Sequence, residues 1–232
     1  MPKLSIIICV YNEAASALAV IDKVRAVQLS DDWLKEIIVV DNCSTDGTRE
    51  QLQGLTSSEV RVIYHERNLG KGASVRTGFR EATGEYGVIQ DADFEYDPIE
   101  LALFTAKASA TDEAAAVFGS RTIGGRHIYK YAQNYWGVRL LTGLTNLLFG
   151  GQLSDVAVAT KMVKVEVFRA LNLQGSAFDL DFELPCALLK HKHSIVEVPV
   201  SYQPRTIEEG KKIRWTDGLH ALWVIVKMRF TR

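Results

Sequence analysis

The feature that most constrains this chain is an alternation of short apolar runs with segments of helical spacing. Residues 4–10 (LSIIICV), 36–41 (EIIVVD), 60–64 (VRVIY), 86–90 (YGVIQ) and 114–119 (AAAVFG) read as strands, and residues 195–200 as a later one. Near-continuous apolar runs mark strands covered on both faces, as in parallel sheets. Between them, residues 13–27, 46–55 and 71–82 carry helical spacing, and Pro98 stands at a favoured first-turn position of another helix. Residues 122–126 read as a Gly-rich polar loop, followed by long helical stretches over 129–149 and 215–230. Strands alternating with helices predict an α/β fold: a doubly wound, mostly parallel sheet with right-handed crossovers. No linker, repeat or low-complexity tract interrupts it, so one domain over 1–232 is expected.

Composition removes other classes. Apolar residues make up 47% and charged residues 24%, which excludes a disordered or fibrous chain. The net charge of −1 argues against a nucleic-acid partner. The charge is uneven, however. Residues 205–232 hold seven Lys or Arg and three acids, an excess of +4, whereas the remainder has an excess of −5. A basic tail on an acidic body suggests an anionic partner, although a solvated basic helix has the same composition. Cys9, Cys43 and Cys186 are odd in number and lack CxxC spacing, which fits free thiols. With no signal-peptide pattern and no apolar stretch near the ~20 residues of a membrane span, a cytoplasmic location is expected.

Ligands of open α/β sheets sit outside the carboxyl ends of the strands. Three strands here end in polar clusters: Tyr11-Asn12-Glu13, the 41–47 stretch DNCSTDG, and Asp91-Ala92-Asp93-Phe94-Glu95. Ser44 or Asp46 alone would be an ordinary helix cap. Three such loops on one sheet edge point to a site. Carboxylates two apart on extended chain point to opposite sides, but a turn can bring one of them to a cation. Oxygen ligands with phosphate partners suit Mg²⁺ or Mn²⁺, and a capping turn before Pro98 is the structural alternative. Gly70-Lys71-Gly72 matches neither phosphate-loop motif, because Val75 stands where the dinucleotide fingerprint needs glycine and Gly72 where the Walker pattern needs Ser or Thr. A helix starting at Lys71 could still offer its N-terminus to an anion, and a plain glycine turn into the helix is the alternative. His191, His193, His65 and the cysteines read as structural.

The strings LSIIICVYNE, EIIVVDNCSTDGT, NLGKGASVRTGF, ATGEYGVIQDADFEYDP, FGSR, LTNLLFG, VEVPVSYQPRT and EEGKKIRWTDGLHALW resemble family 2 glycosyltransferases of the GT-A fold, over almost the whole chain. The branch is similar to dolichyl-phosphate mannose synthase. The resemblance implies an inverting transferase that uses a nucleotide-diphospho-sugar of the GDP-mannose or UDP-glucose type, a divalent ion, and a polyprenyl or dolichyl phosphate. It implies that Tyr11, Glu13 and Asp41 hold the base and ribose, with Asp91 and Lys71 also on the donor side. Asp93 and Glu95 match the positions that reach the metal. Arg121 and Arg205 match charged positions near the phosphates, and Asp155 matches an aspartate facing the acceptor. The implied catalytic set is Asp93, Arg121 and Asp155.

The departures fall on the acceptor side. In Ser154-Asp155-Val156-Ala157-Val158-Ala159-Thr160-Lys161, the acid expected at Ala157 and the aromatic expected at Thr160 are gone. A Glu-Pro-Glu pattern is replaced by Asp181-Phe182-Glu183, and Cys9 replaces a common proline. Trp215, Leu219, Leu222, Trp223, Val226 and Phe230 form one helical stripe flanked by Lys211, Lys212, Arg214, Lys227 and Arg229. Such a stripe packs on its own sheet or lies at a membrane interface. The lipid-using family favours peripheral contact with an anionic membrane, at its cytoplasmic face. A phosphate acceptor needs no strong base, whereas a hydroxyl acceptor does, and Asp155 is then the candidate. A nucleotide-sugar-binding protein without catalysis is the third reading.

Overall fold

The computed structural model describes residues 1–232 except 31–32, 56, 112–113, 124–131, 206–214 and 232, together with the side chains of 132, 133 and 215. Strand β1 (Lys3–Val10) is central. It pairs in parallel with β2 (Leu34–Asp41) on one side and β4 (Tyr86–Asp91) on the other, and β3 (Val60–Tyr64) continues beyond β2. On the far side lie β5 (Ala116–Ser120), β6 (Lys161–Lys164) and β7 (Ile195–Pro199), giving the order β3-β2-β1-β4-β6-β5-β7. Among the described residues only β6 runs antiparallel, between β4 and β5. The mostly parallel α/β sheet read from the sequence is therefore observed.

The strands form where they do because both faces are covered. Ile6, Ile7 and Ile8 are all fully buried, as are Ile38, Val39 and Val40 of β2, and each such side chain contributes about 1.5–3 kcal/mol. Helices α1 (Ala17–Ala26), α2 (Thr48–Gln53), α3 (Lys71–Glu81) and α4 (Leu101–Ser109) follow the first four strands in chain order. Helix α1 begins four residues later than its apolar spacing suggests, because residues 13–16 form a turn in which Ser16 N–H and Ala17 N–H donate to Glu13 O. Before α4, the Asp97 carboxylate caps the chain by accepting from Ile99 N–H, with Pro98 in the first turn, as the sequence implies.

Register sets the site. Val10 lies opposite Asp41, and Cys9 lies opposite Asp91. The polar clusters after β1, β2 and β4 therefore leave the sheet at one edge.

The last helices form a separate layer. Helix α5 (Ala132–Phe149) and α8 (Trp215–Phe230) pack on each other and on α7 (Leu180–Lys190), while α6 (Val165–Ala170) follows β6. Helix α8 turns Ala221, Val224 and Ile225 inward and leaves Leu219, Trp223, Val226 and Phe230 exposed. The stripe legible in the sequence is thus mostly the outward face, with Leu222 half-buried. Lys211, Lys212, Arg214 and the Trp215 side chain lie outside the described residues. Among those described, no helix is long and apolar enough to cross a membrane.

Candidate active site

Two loops are locked together at the carboxyl ends of β1 and β2. Asn12 and Cys43 both turn with positive φ (52° and 63°). Ser44 Oγ accepts from Asn12 N–H at 3.0 Å, Thr48 Oγ1 accepts from Glu13 N–H at 3.0 Å, and Asp46 accepts from Ala14 N–H at 3.1 Å. Ser44, Asp46 and Thr48 therefore brace the loop that presents Tyr11 and Glu13. His65 is also structural: it is buried between Asn42 Oδ1 and Thr77 Oγ1, each 3.0 Å away.

Beside these loops opens a cavity of about 450 Å³. Its wall includes Tyr11, Glu13, Lys71, Asp91, Asp93, Glu95, Arg121 and Arg205, so eight of the ten anticipated residues meet in one place. Asp41 and Asp155 stand outside the wall. Asp41 is fully buried, with Arg49 Nε at 2.6 Å and Ser44 N–H at 3.1 Å. Its neighbour Asn42 lines the cavity instead. Asp41 thus braces the Arg49 side chain and the turn at Ser44.

Arg205 is the centre of the acidic side. Its Nη2 donates to Asp93 at 2.6 Å, its Nη1 to Glu13 at 3.1 and 3.3 Å, and its backbone N–H to Glu95 at 3.0 Å. Burial, then the neighbouring Asp91, push the Asp93 carboxyl up to about 7 against the pull of Arg205. Asp93 Oδ1 also accepts from Glu95 N–H at 3.0 Å, which folds the Asp-x-Asp stretch into a turn. Asp91 faces elsewhere: it pairs with Lys71 Nζ at 2.8 Å, and Asp181 lies 3.6 Å from the same amine. Burial opposes the charge on Lys71, but Asp181 and Asp91 outweigh it and raise its pKa.

At the start of α3 the structure supports the glycine turn over the anion site. Gly72 N–H and Ala73 N–H donate to the carbonyls of Ala177 and Ser176. Gly70 makes this approach possible: its φ is +88°, and a Cβ there would lie 2.2 Å from Ser176 O.

Arg121 and Asp155 form a closed pair. Arg121 Nε and Nη2 donate to the two carboxylate oxygens at 2.7 and 2.8 Å, and Arg121 N–H adds a third bond at 3.1 Å. Ala157 N–H donates as well, at 3.2 Å. Burial raises the Asp155 carboxyl, but the charge and hydrogen bonds of Arg121 outweigh it and hold the group below the ordinary value. A fully buried, fully engaged and acidic carboxylate is a poor proton acceptor. Of the two roles open to Asp155, base for a hydroxyl acceptor or positioning group, the geometry favours the second, aiming Arg121, whose guanidinium also lies 5.1 Å from the Tyr202 ring.

Several wall residues were not singled out as site residues from the sequence: Asn42, Asn68, Ser74, Tyr96, Phe178, Asp181 and Tyr202. Two of them carried a signal: Asn42, in the polar cluster at 41–47, and Asp181, in the altered Asp181-Phe182-Glu183 pattern. Glu183 proves to be a loop clamp that accepts from Gln174 N–H and Gly175 N–H. Lys161 is fully buried near Asp181 and donates to Val158 O. Burial lowers its pKa to about 8. Cys9 lines the cavity, and burial pushes its thiol up to about 12, which keeps it neutral.

A divalent ion has two carboxylates to bind here, Asp93 and Glu95, both beside a cation already held. Among the described residues, no group of three His, Cys, Asp or Glu forms a metal cage. The donor set thus fits an ion that takes its remaining ligands from a phosphate-bearing molecule and water, as Mg²⁺ sites commonly do.

Comparison with known proteins bears on the fold and the family. Glucosyl-3-phosphoglycerate synthase from Mycobacterium tuberculosis, solved with Mn²⁺, UDP and phosphoglyceric acid, superposes with a TM-score of 0.72 at 18% identity, over 100% of this chain and 80% of that one. The dolichol-phosphate mannosyltransferase of Pyrococcus furiosus is 29% identical over 219 residues, covering 90% of this chain and 59% of the relative. The dolichyl-phosphate beta-glucosyltransferase of Saccharomyces cerevisiae is 28% identical over 228 residues, covering 86% and 66%. The chain therefore spans less than two thirds of the length of either relative. The sequence profile of glycosyl transferase family 2 matches residues 5–171, and the chain belongs to that family.

Proposed function

We propose that this protein transfers a hexose, with inversion, from a nucleoside-diphosphate sugar to a polyprenyl or dolichyl phosphate. The observation that carries this reading is the division of the cavity. One side gathers Glu13, Asp93 and Glu95 around Arg205, and Arg121 stands on the wall with its carboxylate partner spent. An acceptor hydroxyl needs a base to remove its proton; an acceptor phosphate arrives ionised and needs none. With Asp155 engaged by Arg121, the geometry favours the phosphate. The names of the relatives above point to the same acceptor class.

In the reaction, an acceptor phosphate oxygen attacks the anomeric carbon, the bond to the diphosphate breaks, and the nucleoside diphosphate leaves with the electron pair. Tyr11 and Asn42 line the end of the cavity suited to the nucleoside. Arg121 is held by Asp155 where it can meet negative charge that grows on the leaving oxygens, a placement that catalyses by requiring no reorganisation. Mg²⁺ or Mn²⁺, held by Asp93 and Glu95, would supply further stabilisation of the leaving diphosphate.

The acceptor implies a membrane contact, and α5 and α8 offer the surface for it. Trp136, Leu140 and Leu147 are exposed on α5, and Leu219, Trp223, Val226 and Phe230 on α8. Both sets follow helical spacing. Arg139, Lys190, Lys192, Lys227 and Arg229 lie on these helices or at the end of α7, where they suit anionic head groups.

The test is transfer from radiolabelled GDP-mannose and UDP-glucose to a polyprenyl phosphate in anionic liposomes, with flotation of the protein on the same liposomes. Lipid-linked product and salt-sensitive flotation are expected. Transfer only to soluble hydroxyl acceptors, with no flotation, would reverse the reading.

A further inference from the structure

Arg205 holds the same carboxylates that the sequence assigns to the metal. The side chain reaches Asp93 at 2.6 Å and Glu13 at 3.1 Å, and its Nε lies 3.8 Å from Glu95. That Nε is buried and has no hydrogen-bond partner among the described residues. The guanidinium thus serves three carboxylates and leaves one of its own donors unmet. Three carboxylates against one guanidinium carry a formal charge of −2, and a divalent ion in place of the guanidinium would reduce it to −1. A guanidinium and a divalent ion cannot share Asp93 at contact distance without strong repulsion.

We propose that Arg205 is an exchanging cation: it occupies the metal position until the donor diphosphate draws it onto phosphate oxygens, and the ion then takes its place on Asp93 and Glu95. The backbone supports such a swing without moving the chain. Arg205 N–H stays on Glu95 and Gln203 N–H on Glu95 O, so only the side chain must turn. The consequence is thermodynamic coupling. The ion binds weakly alone, because it must displace a paired arginine, and the nucleotide binds weakly alone, because its charge lacks the ion. Each strengthens the other by the same factor. The exchange makes the metal enter with its substrate and keeps a cation on the carboxylates between turnovers.

This inference rests on the proposed donor class but not on any acceptor, so its test uses none. Mn²⁺ affinity is measured by the loss of the free-ion electron paramagnetic resonance signal, without nucleotide and with UDP or GDP. The wild type should bind Mn²⁺ poorly alone and about 5- to 150-fold more tightly with nucleotide. Arg205→Gln should bind Mn²⁺ alone more tightly than wild type and lose most of the coupling. Arg205→Lys retains a cation and should keep Mn²⁺ alone weak, which separates charge from altered folding. If the wild type shows the coupling but Arg205→Gln leaves Mn²⁺ alone unchanged or weaker, the exchange is wrong while the donor reading stands. If neither protein binds Mn²⁺ with either nucleotide, both fall.

Discussion

Replacing Asp155 by Asn tests whether the Arg121–Asp155 pair is a structural support for the site or a source of proton transfer. Asp155 is fully buried and accepts four hydrogen bonds, three of them from Arg121, which is itself 7% exposed. The amide keeps the shape but removes the charge, leaving a buried guanidinium without its counter-ion. Breaking one partner of such a pair typically costs ~3–5 kcal/mol. For a chain of this size, each kcal/mol lowers the midpoint by roughly 2–4 °C, so a fall of roughly 6–20 °C is expected in thermal scans. The loss should depend on pH. Asp155 is held below its ordinary value of 3.8, so the unfolded chain binds its proton first as pH falls. The pair's contribution is complete above that value and fades as pH drops through the lower folded one. Wild type and variant should therefore converge in acid. Turnover well below the midpoint should fall because Arg121 loses its aim, with the shape of the pH–rate profile retained. A loss of stability under ~1 kcal/mol, or a profile that loses its acidic limb, would refute the supporting role and restore Asp155 as a base.

The remaining predictions concern the donor side and its frame. Asp93→Asn should abolish nucleotide-dependent Mn²⁺ binding and transfer. Because burial holds Asp93 up to about 7, the folded chain keeps a proton that the unfolded chain sheds from about 3.8. Wild-type stability should thus decline across that interval relative to the variant, as urea midpoints at several pH values would show. Gly70→Ala should cost at least ~1–3 kcal/mol, since φ +88° and ψ 162° is glycine-only backbone. The new Cβ would also strike Ser176 O, which a chemical unfolding curve would register.

How much was legible follows from what each feature depends on. The six parallel strands were visible from their apolar runs, and the signal is clearest in β1 and in the 37–41 stretch of β2, where burial on both faces leaves it nearly unbroken. Strand β6 gave no such signal: KMVK is four residues with lysines at both ends, one of them, Lys161, buried by tertiary packing alone. Helix α7 was obscured by Pro185 in its interior and by a mixed apolar pattern. The acidic clusters were legible because strand ends are local. Their partners were not. Arg205 meets Asp93 across 112 positions, and Arg121 meets Asp155 across 34, so no spacing rule reaches either pair. Which of the two readings of the α3 N-terminus holds is hidden for the same reason, since its amides are taken by carbonyls about a hundred residues away.

Helix α5 ties these distant features together. Its inner side grips the loop that bears Asp155: Thr142 Oγ1 accepts from Val156 N–H at 3.1 Å, and Asn146 brackets Leu153 with bonds of 2.8 and 2.9 Å. Arg139 reaches Ser154 O at 3.4 Å. Its outer side presents Trp136, Leu140 and Leu147. One rigid element therefore carries both the apolar face proposed for the membrane and the clamp on the carboxylate that aims Arg121. A lipid-linked phosphate is tethered to the bilayer, so its reach into the cavity depends on how the protein sits on that surface. Placing the docking face and the support of Arg121 on one helix fixes that distance by construction. A hydroxyl acceptor free in water would gain nothing from the coupling, because its approach does not depend on orientation to a surface. The exposed stripe on α5 and the closed Arg121–Asp155 pair thus argue for the same acceptor from opposite ends of one connection.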